Sequence, residues 1–123
     1  GSLNLPNSWL IENAVTETTK GDVLMVFRTQ IGKIYASRSS DKGSTWSTPY
    51  ALTDLPNPNS KIDMIHVKPS GALALVYNDH AKAHAHSKGG NTGLLASKGC
   101  KGCRTFLTLA MSTDAGASWS KIA

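Results

Sequence analysis

The chain has 123 residues, 40% of them hydrophobic and 17% charged. That length bounds it to one domain, able to bury a core with little surplus. Without a run of 18 apolar residues it has no helical membrane span. The formal net charge is +5, but Lys82, Lys88, Lys98 and Lys101 sit in an acid-free stretch over 81–103, so the remainder is close to neutral. With no basic run interleaved with aromatics, nucleic acid is not an expected partner.

Residues 8–15 alternate weakly and read as a first strand. Residues 22–28 (Asp-Val-Leu-Met-Val-Phe-Arg) are short, apolar and β-branched, the pattern of a buried strand. A turn at Ile31-Gly32 leads to a third strand over 33–38, and 48–52 read as a shorter fourth. Four antiparallel strands in about 45 residues make a unit the size of one propeller blade. Residues 55–60, with Pro56 and Pro58, read as a rigid loop. Strands over 62–67, 72–77, 104–111 and 120–122 then complete a second set of four, with a Lys68-Pro69-Ser70-Gly71 turn after the first of them. His66, alternating with Ile65 and Val67, is expected to face the surface while they face inward. No amphipathic helix is expected.

One motif is written twice, as S-x-D-x-G-x-[ST]-W. The first copy carries Ser39, Asp41, Gly43, Thr45 and Trp46, and the second Ser112, Asp114, Gly116, Ser118 and Trp119. A recurring pattern of this length signals repeat architecture. Asp can accept hydrogen bonds from backbone N–H groups just ahead of it in a tight turn. The Gly two positions on supplies a positive φ that other residues resist. The Trp leaves the turn as an apolar plug, expected to be buried. The two copies lie 73 residues apart. A tract rich in Ala, His, Lys, Gly and Ser over 81–102 reads as a poorly packed insertion. Without its 22 residues the period is 51, close to the ~40–50 residues of a propeller blade.

Cys100 and Cys103 form a lone C-x-x-C, open to three readings: a local disulfide, half a zinc site or two free thiols. His80, His84 and His86 lie nearby, but their spacing matches no standard zinc pattern. A solvated insertion is the simpler reading, and no metal or cofactor is expected.

The twin motif resembles the Asp-box, or BNR repeat, of the sialidase (neuraminidase) superfamily, whose members are six-bladed β-propellers. Two longer matches strengthen the resemblance. Glu12 precedes Arg28 by 16 residues, with Gly21 at the intervening turn and the first motif following. Arg104-Thr105-Phe106-Leu107-Thr108 leads into Ser112-Thr113-Asp114 and resembles another sialidase blade. The resemblance implies an all-β fold of two four-stranded antiparallel blades, one over 8–54 and one over 55–123. It also implies a site for an acidic sugar. Sialidases hold the sugar carboxylate with three arginines, and Arg28 and Arg104 would be two of them. Glu12 would polarise a tyrosine nucleophile, the exception among glycosidases. The third arginine and the acid/base Asp belong upstream of the matched region, and the nucleophile downstream; Tyr35, Tyr50 and Tyr77 do not match it.

Two functions are therefore carried forward. One is a piece of a sialidase-like glycoside hydrolase binding an acidic sugar through Arg28 and Arg104. The other is a non-catalytic Asp-box propeller element used for carbohydrate or protein binding, or for assembly. Either implies partners: the rest of a propeller, or other copies of the chain. The compartment stays open, with a leaning to a secreted or extracytoplasmic one.

Overall fold

A computed structural model describes residues 9–79, 104 and 106–123. Those residues form eight strands and no helix: β1 (Ile11–Glu17), β2 (Val23–Arg28), β3 (Gly32–Ser39), β4 (Tyr50–Asn57), β5 (Asp63–Val67), β6 (Ala72–Asn78), β7 (Leu107–Ser112) and β8 (Ser120–Lys121). They make two four-stranded antiparallel meanders, β1-β2-β3-β4 and β5-β6-β7-β8. Each Asp-box connects the third strand of its sheet to the fourth. The insertion read over 81–102, and the His80, His84, His86, Cys100 and Cys103 constellation, lie outside the described residues.

The core is the space between the two sheets. Alternation along each strand puts every second side chain on one face. Leu24, Val26, Ile34 and Ala36 of the first sheet meet Met64, Leu73, Leu75, Tyr77 and Ala110 of the second, all buried. β4 is longer than the sequence reading, running through Leu55 and Pro56 to Asn57. Pro lacks the donor a central strand needs, but here it sits on an edge strand beside a register shift at Lys33/Ile34. The reading of β5 is reversed. Ile65 is the outward residue, and His66 is half-buried with Nε2 enclosed. Strict alternation fixed which residues share a face but not which face is covered. The motif residues Trp46 and Trp119 are half-buried rather than buried.

One arginine ties the sheets together. Arg38, on β3, donates from Nη1 to Asp22 Oδ2 at 2.8 Å and from Nε to Tyr50 Oη at 2.9 Å within its own sheet. Its Nη2 donates to the carbonyl of Ala115, in the second Asp-box, at 2.7 Å. That turn comes so close that a Cβ on Gly116 would stand 2.6 Å from Leu24 Cδ2 and 3.1 Å from Arg38 Nη2. The equivalent Gly43 has room: its Cβ would meet only Trp46, at 3.7 Å. Both glycines have positive φ, +85° and +94°.

Gly43→Ala should therefore cost only backbone strain, about 1–2 kcal/mol. Gly116→Ala adds overpacking worth about 1–3 kcal/mol more. Thermal melts of the two variants check this: Gly116→Ala is expected to melt lower than Gly43→Ala by at least about 4 °C.

Candidate functional site

The two Asp-boxes share the same four bonds around the Asp. Ser39 Oγ donates to Asp41 Oδ1 at 2.7 Å and accepts from Gly43 N at 2.8 Å. Asp41 Oδ1 accepts from Thr45 N at 2.8 Å, and Oδ2 from Thr45 Oγ1 at 2.5 Å. In the second copy Ser112, Asp114, Gly116 and Ser118 make the same four bonds. These carboxylates accept several hydrogen bonds in their charged form, which holds both well below the ordinary range. Asp41 is pushed down to about 2, first by the Thr45 hydroxyl and then by the Thr45 N–H. Both boxes are thus turn staples. The copies differ at the indole: Trp46 Nε1 donates to Gly43 O at 3.0 Å, whereas Trp119 Nε1 is enclosed with no partner among the described residues.

At the opposite end of the sheets lie the charged residues singled out in the sequence. Register pairing puts Ile11 across from Arg28, then shifts before Ala14 pairs with Val26. Glu12 occupies this β-bulge with φ +46°. A bulge re-aims a side chain, and here Glu12 Oε2 accepts from Arg28 Nη1 at 2.7 Å. Arg28 Nε donates to Asn59 Oδ1 at 3.0 Å. The Arg28 side chain is only 15% exposed, against 44% for Glu12.

Sequence reasoning read 55–60 as a rigid loop but gave it no part in holding Arg28. Asn57 is fully buried. Its Oδ1 accepts from Thr29 N and Ser60 N, both at 3.3 Å, and its Nδ2 donates to Ser60 O at 2.9 Å. This clamp fixes the segment that presents Asn59, itself at φ +60°. The Pro-Asn-Pro-Asn spelling was the available signal, since Asn tolerates a left-handed backbone.

Glu12 titrates below the ordinary carboxylate range, first through its hydrogen bond from Arg28 and then, against some desolvation, through the charges of Arg28, Lys61 and Arg104. Arg104 is exposed and precedes β7 at the same end of the second sheet. So Glu12, Arg28, Lys61 and Arg104 share one neighbourhood. The two arginines are not repeat equivalents: register places Asn78 at the position of Arg28, and Ile31 at that of Arg104. Six described residues other than Gly have positive φ. Lys42 and Ala115 hold the same place in the two Asp-boxes, and Trp9, Glu12, Asn59 and Phe106 all lie at this end. Clustered backbone strain is a feature of ligand-binding sites.

Glu12 bonds to Arg28 rather than to a tyrosine. Tyr50 Oη is engaged by Arg38 at the far end. Tyr77 is fully buried, and burial, with the charge of Asp79, pushes its phenol far above the ordinary range. Among the described residues no cluster of His, Cys, Asp or Glu could hold a metal ion.

The model of the BNR repeat-like domain matches residues 3–123. The chain belongs to the BNR repeat-like domain family. No curated protein matches it. A solved structure of a protein of unknown function from Dyadobacter fermentans DSM 18053 is similar, with a TM-score of 0.56 and 14% identity. The match covers 95% of this chain and 36% of that one. The chain thus spans about a third of the length of that protein, and at such identity the likeness concerns the fold. The match to the BNR repeat-like family agrees with the duplicated Ser-Asp-Gly-Trp turns.

The depressed carboxylates of those turns fix a sign for the acid response. A carboxylate with a lowered folded pKa stabilises the native state above its unfolded value, and the stabilisation is lost as pH falls through the folded value. For Asp41 that window runs from its ordinary 3.8 down to about 2. Melting temperature should drop across this window, and Asp41→Asn should lower it near neutrality while flattening the drop. Thermal melts from pH 7 to about 2 measure both effects.

Proposed function

We propose that the chain is a two-blade portion of a sialidase-like Asp-box propeller and contributes Glu12, Arg28 and Arg104 to a site for an acidic sugar. The observation that carries this reading is the 2.7 Å pair of Arg28 with Glu12, a carboxylate that also feels the charges of Lys61 and Arg104. Positive charge remains in surplus there, which favours an anionic ligand. A guanidinium fork suits a carboxylate, since it can donate two parallel bonds and stays charged. The Asn57 clamp and the Glu12 pair hold Arg28 in one orientation, so little freedom is lost on binding. Hydrolysis would need a nucleophile and an acid that this chain does not supply at Glu12. Catalysis would belong to the completed propeller, with Glu12 and Arg28 as positioning and binding groups.

A second reading, a non-catalytic Asp-box element, is favoured by one feature: Arg28 is already satisfied by Glu12 and Asn59.

Titration of the chain with sialic acid and with its methyl ester, followed by NMR shifts, separates the two. On the first reading the free acid binds weakly and the ester more weakly still. A charge-assisted hydrogen bond is worth roughly 1.5–3 kcal/mol, so Arg28→Ala and Arg104→Ala should each weaken acid binding about ten-fold or more. Equal binding of acid and ester, or indifference to both substitutions, would favour the second reading. No sialoside turnover by this chain alone is expected on either.

A further inference from the structure

A cavity of about 480 Å³ opens at the Asp-box end, away from Glu12 and Arg28. Its walls come from both sheets: β4, an edge strand of the first, and the second Asp-box turn. The turn between β1 and β2 adds Lys20. A further blade is therefore not needed to form it. Its size falls among small-molecule sites, which span about 300–1,000 Å³.

The charges around the cavity are Lys20, Arg38, Asp22, Asp54 and Asp114, and most of them are already engaged. Arg38 is committed to Asp22, Tyr50 and the Ala115 carbonyl. Asp22 also accepts from Thr18, and Asp114 accepts from Ser112 and Ser118 inside its own turn. Lys20 and Asp54 are exposed, and among the described residues the side chain of neither makes a hydrogen bond or ion pair. One cation and one anion are thus left over, and they cancel. A charged ligand would meet one partner and one repulsion. A neutral ligand rich in hydroxyls can accept from Lys20 and donate to Asp54 at once.

Two aromatic side chains, Tyr50 and Trp119, line the same cavity. Arg38 holds the Tyr50 hydroxyl at 2.9 Å, and Trp119 packs on the core with Nε1 enclosed. Rings held in this way offer apolar contact at little entropic cost. A sugar has the matching double character, with hydroxyls around its edge and C–H groups on the faces of its ring.

We propose that this cavity binds a neutral sugar, with Lys20 and Asp54 contacting its hydroxyls and Tyr50 and Trp119 its ring. The site is separate from the Glu12–Arg28 end and stands whether or not that end takes an acidic sugar.

NMR of the isotope-labelled protein carrying this chain, titrated with the methyl glycosides of glucose, galactose, mannose and N-acetylglucosamine, tests the site. At least one glycoside should shift the amides of Asp54 and Ala117 and the indole of Trp119, and leave Glu12 and Arg28 unmoved. Lys20→Ala and Asp54→Ala remove side chains that hold nothing in place, so both variants should keep the parent's circular dichroism and melting temperature. Each should weaken the binding about ten-fold, as loss of a charge-assisted hydrogen bond does. Sialic acid and glycine, one anionic and one zwitterionic, should bind there more weakly than the best glycoside. No shift with any of the glycosides, binding indifferent to both substitutions, or sialic acid or glycine binding there as tightly as the sugars would each overturn the proposal.

Discussion

The arrangement of the two sheets depends on one close approach, the backbone of the second Asp-box against Leu24. A Cβ at Gly116 would stand 2.6 Å from Leu24 Cδ2, so any larger residue there forces a shift. The approach also brings the Ala115 carbonyl within reach of Arg38, and that bond joins the sheets. A buried or half-buried carbonyl needs a partner, and an arginine already oriented by Asp22 and Tyr50 supplies one at low entropic cost. The Asp-box is therefore more than a hairpin loop. Its Asp and Ser lock the turn from within, and the locked turn then works as a spacer that sets the distance to the neighbouring sheet.

At the other end of the same strands the design logic is opposite. The Asp-box end is held by repeated, regular bonds, whereas the Glu12 end is held by a bulge, a buried Asn57 and four strained backbones. Strain of this kind persists only where surrounding contacts over-determine it. The rigid inter-sheet core supplies that support, because Val26, two residues before Arg28 on the same face, is fully buried. Arg28 thus projects from the rim of the core, with its guanidinium fixed and its surroundings still open to solvent.

Much of this fold was legible in the sequence, and the misses have physical causes. Strand order and the strand–turn–strand role of both Asp-boxes followed from short apolar runs and the duplicated motif. Pro56 argued against a strand, yet it lies on an edge beside a bulge, where its missing donor is harmless. Ile65 and His66 were assigned to the wrong faces because alternation has period 2 on either face, and only the neighbouring sheet decides which is inside. For the site, Glu12 and Arg28 were found through a resemblance, and their 2.7 Å pair confirms proximity rather than role. Asn57, Asn59 and Lys61 were missed because their contribution depends on a loop conformation that no local pattern encodes.

The misplaced Ile65 carries the last step. A sequence selected for one exposed face would place polar residues at 65, 74, 76, 109 and 111, since each apolar side chain left in water forgoes roughly 25 cal/mol per Å² of the burial it could have. The chain places Ile, Ala, Val, Leu and Met there, with the polar Asp63 and Ser120 on the flanking strands of the same rows. A row of this kind is what an antiparallel sheet carries when another layer packs on that face.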